Sequence, residues 1–417
     1  MTSKLFAVLF LAVSNAYLLD TVENVFGSSP SSKQFIYGEV TTIDGTTYEG
    51  QIRWGKEEAF WFDFFNSTKE ENENLKWLSR DEEKALNEKD SNSSWIGNWG
   101  RTSWSSGKGH SHVFACQFGD IKSIDIINGD RVLVEFKNGE HFELDGGSND
   151  IGTQVQVSDK DLGIIKLDWK RIDKVEFMQT PSGIKSVFGE PLYGIVKTIR
   201  GEFEGYLQWD HDERLSLDVL NGHSEDGELD IEFGNIRSIK RTHRGSNVTL
   251  KSGRSFDLHG TNDVDDDNRG IIVSTPNYGR VDITWDEFEE MTITGTSGGD
   301  ELDYNSYRNA EPLKGIVYTH EDGSYSGRLI FDLDEQYKLE MLDGVLDDIE
   351  YFIPFAAVSY IEPKNRKESL VRLSNGESFV FEDKVDVDEN NDGVLVFGSD
   401  NKPDYISWSD IKYITFE

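Results

Sequence analysis

Three observations predict an all-β protein of three tandem units, each of small β-barrel or sandwich type. A strand, a glycine turn and a second strand recur three times along the chain. Each recurrence is followed by an Asn-Gly or Ser-Gly turn between alternating apolar residues, a strong short-range hairpin signal. Each closes on a Trp-led segment of alternating pattern.

The first copy opens Gly38-Glu-Val40-Thr-Thr-Ile-Asp-Gly45-Thr-Thr-Tyr48-Glu-Gly50-Gln-Ile52-Arg-Trp54. The second opens at Gly194-Ile-Val196 and runs through Phe203-Glu-Gly205 to Trp209. The third opens at Gly315-Ile-Val317 and runs through Tyr325-Ser-Gly327 to Phe331. The copies then share Phe118-Gly119-Asp-Ile121, Phe233-Gly234-Asn-Ile236 and, more loosely, Phe355-Ala-Ala-Val358. The hairpins follow at Val134 to Phe142, Val248 to Phe256 and Val371 to Phe379. The closing segments are Trp169 to Phe177, Trp285 to Ile293 and Trp408 to Phe416. So long a period does not suit a thin solenoid, whose units run about 20–50 residues.

The expected units are 32–178, 191–293 and 312–417, joined by linkers at 180–189 and 294–311. The first carries an insert, roughly 67–112, in which residues 70–89 suit a short helix with Leu75, Leu78, Ala85 and Leu86 near one face. The Gly-x-Val, Gly-x-aromatic-x-Gly and Ile-x-x-Ile pattern of the first halves resembles SH3-like barrels of the PRC-barrel or Sm-like type, over about 45 residues per copy. The resemblance implies a small barrel and nothing about ligands. The second halves suit either a further barrel or a sheet packed on the first.

The 417 residues hold 42 Lys+Arg against 78 Asp+Glu, a formal net charge of −36, with 36% hydrophobic and 12% aromatic residues. That aromatic content argues against a disordered chain. The acid excess argues against nucleic-acid partners, whose binding needs Lys and Arg on phosphates, and against anionic membrane faces. A single cysteine excludes an intramolecular disulfide framework.

Met1-Thr-Ser-Lys4, nine apolar residues from Leu5 to Val13, and Ser14-Asn-Ala16 read as a signal peptide cleaved after Ala16. The apolar run falls short of the ~20 residues that span a bilayer. The expectation is an exported protein, periplasmic or extracellular, with no integral membrane segment after cleavage. Cys116 then reads as a buried small hydrophobe.

Candidate sites are few. In the third copy Asp386-Val-Asp388-Glu-Asn390-Asn-Asp392-Gly393 places alternating oxygens as a calcium loop does, and Asp388, Asn390 and Asp392 are its candidate ligands. The second copy offers Asp265 and Asp267 in Asp263-Val-Asp265-Asp-Asp267, and the first offers Asp159-Lys-Asp161-Leu-Gly163. Ser399 stands where an EF-hand needs its closing Glu. Asp, Asn and Gly are also ordinary turn residues, so an acidic hairpin loop is the competing reading.

Trp95, Trp99 and Trp104 in the insert are candidate ligand-binding residues, since spaced Trp side chains stack on sugars or anchor a protein partner; alternatively they cover the first barrel. His110-Ser-His112, with Cys116 and His141, has metal-ligand spacing, yet exposed histidines explain it as well. Gly295-Thr-Ser297-Gly-Gly299 matches a nucleophile elbow in letters only, because it lies in a linker. Asn66, Asn92 and Asn247 head glycosylation sequons that matter only in a eukaryotic host.

The leading expectation is an exported, non-catalytic β-repeat protein acting as an interaction or scaffold module. No catalytic residue and no obligatory cofactor is assigned. The alternatives are a glycan- or calcium-binding extracellular module, and a carboxylate-dependent hydrolase.

Overall fold

The computed structural model describes residues 34–69, 72–92, 112–146, 150–275, 279–295, 303–399 and 402–417. The protein is all-β, and the strands of the described residues fall into three sets of ten. The first set is β1 (Tyr37–Thr42), β2 (Thr47–Trp54), β3 (Phe64–Lys69), β4 (His112–Gln117), β5 (Ile121–Ile126), β6 (Arg131–Phe136), β7 (His141–Asp145), β8 (Val155–Asp159), β9 (Gly163–Leu167) and β10 (Ile172–Phe177). The second is β11 (Tyr193–Thr198), β12 (Glu202–Trp209), β13 (Val219–Ser224), β14 (Gly227–Glu232), β15 (Ile236–Thr242), β16 (Gly245–Leu250), β17 (Ser255–Leu258), β18 (Ile271–Thr275), β19 (Gly279–Ile283) and β20 (Phe288–Ile293). The third is β21 (Lys314–Thr319), β22 (Ser324–Phe331), β23 (Met341–Leu346), β24 (Ile349–Pro354), β25 (Val358–Pro363), β26 (Glu368–Leu373), β27 (Ser378–Glu382), β28 (Val394–Phe397), β29 (Asp404–Ile406) and β30 (Ile411–Phe416).

Within the first set the sheet order is β4-β3-β7-β6-β5-β10-β1-β2-β8-β9, all antiparallel, and the third set repeats it. The second follows it too: the one pair that joins β13–β14 to the sheet, His223 with His259, falls just past β17, whereas Thr68–Asp145 and Val345–Glu382 lie within their strands. The last strand of each set lies between the first and the fifth, so β10 pairs with both β1 and β5. The second halves are therefore neither a separate barrel nor a separate sheet. One ladder runs through both halves.

The recurring glycines have a steric cause. Gly38 pairs with Gly50, Gly194 with Gly205 and Gly315 with Gly327. A Cβ on any of the six would fall 1.9–2.5 Å from a carbonyl oxygen of the neighbouring strand. Only glycine permits that backbone approach. Downstream, an edge-on aromatic pair anchors each core: Trp54 with Trp169 at 5.9 Å, Trp209 with Trp285 at 5.9 Å and Phe331 with Trp408 at 5.8 Å. Such pairs add about 0.5–1.5 kcal/mol to the burial of their rings.

The insert is an expanded β3–β4 hairpin loop: Ser67, Thr68 and Lys69 belong to β3, and Lys69 pairs with His112. The equivalent turns have two residues each, Glu225-Asp226 and Asp347-Asp348. The insert's helix α1 (Arg80–Asn92) follows a short 3-10 turn, Glu73–Trp77. Leu75, Leu78 and Leu86 pack on Ile330, Leu333 and Leu395 of the third set, while Ala85 is exposed. The insert thus crosses to the third set.

The linkers are docked as well. Phe188 packs with Phe35, Phe60 and Leu215. Tyr304, Tyr307 and Ala310 enter the core of the first set. The second and third sets share one core and one ladder, since β19 pairs with β24 from Arg280–Phe352 to Asp282–Glu350.

No helix among the described residues is long and apolar enough to cross a membrane. Residues 1–33, with the expected signal peptide, lie outside the described residues.

Candidate cation centres

The strands β2, β12 and β22 each end on a fully buried aromatic residue, Trp54, Trp209 or Phe331. The chain then closes a tight turn. Phe331 N–H donates to Glu335 O and Glu335 N–H to Phe331 O, both at 2.9 Å, and Trp209–Glu213 and Trp54–Glu58 make the same pair of bonds. Each turn holds a Glu beside its aromatic residue. The turns need a left-handed backbone: φ is 60° at Gly55, 48° and 60° at Asp210 and His211, and 47° and 57° at Asp332 and Leu333. A left-handed conformation costs a residue with a side chain about 1–2 kcal/mol. The second and third sets retain it where the first has glycine.

A second acid comes from the loops after β7, β17 and β27. Asp150, Asp263 and Asp386 each accept a backbone N–H on Oδ2, from Asn66 at 2.6 Å, Asn221 at 2.7 Å and Asp343 at 2.7 Å. Trp54 and Trp209 fix two of these loops by donating from Nε1 to the carbonyls of Asp150 and Asp263 at 2.8 Å.

The outcome is three carboxylate groups in corresponding places: Glu57, Glu58 and Asp150; Asp210, Glu213 and Asp263; Asp332, Glu335 and Asp386. The second and third match residue for residue, and the first has Gly55 at the place of Asp210 and Asp332. Within each, one oxygen per residue lies within 4.8 Å of the others. Burial is the main cause of the raised pKa values of Glu58, Asp150, Glu213, Asp263, Asp332, Glu335 and Asp386. It pushes Asp150 and Asp386 up to about 7 and Glu213 up to about 9. Burial and then the neighbouring acids drive Glu58, Asp332 and Glu335 well above the carboxylate range.

The groups differ in what offsets their charge. In the first, Arg214 favours ionised Glu58 and Arg280 favours ionised Asp150. In the second, Arg269 lies 3.4 Å from Asp210 and 2.8 Å from Asp212. In the third, Asp332, Glu335 and Asp386 make no ion pair among the described residues, although Lys69 and Lys384 lie near enough to favour the ionised forms of Glu335 and Asp386. Glu335 is 8% exposed, and its Oε2 has no hydrogen-bond partner. A buried, unsatisfied carboxylate oxygen is costly unless a proton or a cation completes it. Close carboxylate oxygens without thiolate or imidazole suit a hard cation of the calcium class.

The acidic turns read from sequence shape the loops around two of these groups. Asp388 accepts from Asn390 N at 2.7 Å and Asn390 Nδ2 at 3.1 Å. Asp265 accepts from Gly260 N at 3.1 Å and Asp267 N at 3.3 Å. Asp392 donates its backbone N–H to Asp332 Oδ1, bracing the third group. Asn390 and Asp267 are exposed. The first-copy turn Asp159 to Gly163 joins β8 to β9 and is not equivalent to them; the equivalent loop carries Asp150.

Trp95, Trp99, Trp104 and His110 lie outside the described residues, as does Gly-x-Ser-x-Gly beyond Gly295. Cys116 is fully buried whereas His141 is exposed. Asn66 is turned inward, donating Nδ2 to Asp150 at 3.1 Å. Two shallow depressions have volumes of about 230 and 350 Å³. Arg53, Lys56, Asp212 and Asp218 line the smaller; Glu311, Lys314, Lys338 and Glu417 line the larger.

Sequence reasoning missed Glu58, Glu213 and Glu335. Each stands four residues after the aromatic residue that ends the second strand of its copy. Aligning the copies one turn further would have exposed them.

No protein-family model matches the chain, and no curated protein matches it. Among solved structures, one described as a streptogramin B lyase structure is similar over 72% of this chain and 94% of its own, at 14% identity and a TM-score of 0.14. A likeness at that level carries no argument about function.

Proposed function

We propose that the protein is an exported, non-catalytic β-repeat module that holds divalent cations of the calcium class and serves an interaction or scaffold role. The observation that carries the cation reading is Glu335, whose buried Oε2 lacks a partner beside Asp332 and Asp386, none of the three ion-paired among the described residues. The scaffold reading is supported by the threefold recurrence of the buried acidic chemistry, which marks no single copy as a reaction centre.

The test is calorimetric titration of the chelator-treated full chain with Ca²⁺ and, separately, Mg²⁺. The expected result is saturable Ca²⁺ binding that Glu335→Gln weakens on the order of tenfold or more, because affinity follows ligand charge and number. Absence of Ca²⁺ binding to the unaltered chain would overturn the cation reading.

A further inference from the structure

The loop from Phe331 to Glu335 faces two ways. Asp332 and Glu335 supply two of the three carboxylates of the third centre. The two residues between them receive the first set. Leu333 is fully buried against Leu86 of α1, and its carbonyl accepts from Asn74 Nδ2 at 2.9 Å. Asp334 accepts Lys69 Nζ on both its carbonyl and Oδ1 at 3.1 Å. Lys69 also pairs with Glu340, which accepts the N–H groups of Gln336 at 2.6 Å and Tyr337 at 2.8 Å. Two cation ligands thus flank two docking points along one short turn, and two consecutive left-handed residues define its backbone.

We infer that cation binding at Asp332, Glu335 and Asp386 is coupled to docking on the third set of Lys69, at the end of β3, and of the insert at Asn74 and Leu86. This inference rests on the cation reading proposed above. A cation joining Asp332 to Glu335 fixes the turn whose intervening residues form the docking surface. Docking in turn pre-orders the two ligands. By thermodynamic reciprocity each event strengthens the other by the same factor. Neither the first nor the second centre is built this way: His211 pairs within its own set, with Asp282 at 2.9 Å, and the first-set turn has Gly55, with no side chain to ligate, at the place of Asp332.

Two measurements on the full chain test the coupling. Hydrogen exchange of residues 73–86 is followed without and with saturating Ca²⁺, and slowing of several-fold is expected. Ca²⁺ titration is then repeated on Asn74→Ala and Leu86→Ala, neither of which changes the charge near the ligands. Both should bind more weakly by a similar several-fold factor. Unchanged exchange at 73–86 in a chain that binds Ca²⁺, with equal affinity in the variants, would overturn the coupling and leave the cation reading standing. No binding to the unaltered chain would overturn both. The exchange arm needs no variant, so a misfolded Leu86→Ala would not rescue the idea.

Discussion

The guanidinium of Arg214, in the second set, meets the carboxylate of Asp63, in the first, with side chains only 3% and 2% exposed. Asp63 also accepts the N–H groups of Ala59 at 2.7 Å and Phe60 at 2.8 Å. The arrangement recurs. Asp218 caps Arg214 and Leu215 and takes Arg53 at 2.8 Å, and Glu340 caps its own turn and takes Lys69. One carboxylate per set therefore closes a local turn and receives a cation from another set. Burial pushes Asp63 up and Arg214 down, so desolvation works against this pair even as its charges attract.

Removing one partner of the Arg214–Asp63 pair should hurt more than removing both. Arg214→Met leaves a buried carboxylate unpaired and is expected to cost about 3–5 kcal/mol. Asp63→Asn in the Arg214→Met background should recover part of the loss. Denaturant titrations of the two single variants and the double variant give the coupling. Strictly additive losses would mean that the pair is not a unit.

Gly50→Ala should destabilise by about 1–3 kcal/mol or more, as overpacking does, since its Cβ would sit 1.9 Å from Ser158 O. Gly201→Ala is the control: nothing lies within 4 Å of its Cβ, and its φ is not left-handed. There the lost freedom of the unfolded chain makes alanine neutral or stabilising, by about 0.4–1 kcal/mol. Equal midpoints for the two variants would refute the close-approach account of the glycine pattern.

Asp120 gives a pH prediction. It is buried, accepts Asn309 N at 2.8 Å, and faces the Lys137 cation, while burial pushes it up to about 6. The folded carboxyl holds its proton more tightly than the unfolded one, so its contribution is full below 3.8 and is lost as pH rises to about 6. Compared with Asp120→Asn, the parent should lose stability with rising pH across that window. Parallel stability curves for the two proteins from pH 4 to 6.5 would sink the assignment.

Calcium should raise the melting temperature of the chelated protein in a concentration-dependent way. At a free ligand concentration a hundredfold above its dissociation constant, one site adds about 2.7 kcal/mol. Asp332→Asn should remove much of the shift, whereas Asp267→Asn, on an exposed turn residue, should leave it intact. A shift lost in Asp267→Asn and kept in Asp332→Asn would return the site to the turn itself.

The sequence carried the hairpins because their causes are local. Asn138-Gly139 turns the chain within a few residues, whereas Gly38 and Gly50 are legible only through their recurrence, since the carbonyls they admit, Glu176 O and Ser158 O, are far along the chain. The carboxylate centres were less legible. Glu335 and Asp386 are distant in the chain and meet only because β22 pairs with β28 and β23 with β27, which brings their loops together. Asp386 was visible as part of an acidic turn, but the turn's spacing drew attention to Asp388 and Asn390, which brace each other. The crossing of Leu86 to Leu333 had no sequence signal, since an apolar helix face does not state what it covers. The return of β10 between β1 and β5 was equally hidden, because strand pairing order is a property of the whole sheet.

The junctions between sets differ in kind, and this has a mechanical consequence. The second and third sets share hydrogen-bonded strands through β19 and β24. The first is held to them by side chains alone among the described residues' strand pairings. Pulled from its ends, the molecule would yield first where the first set peels from the other two, one side-chain contact at a time. The second and third sets would have to shear a ladder whose backbone bonds break together.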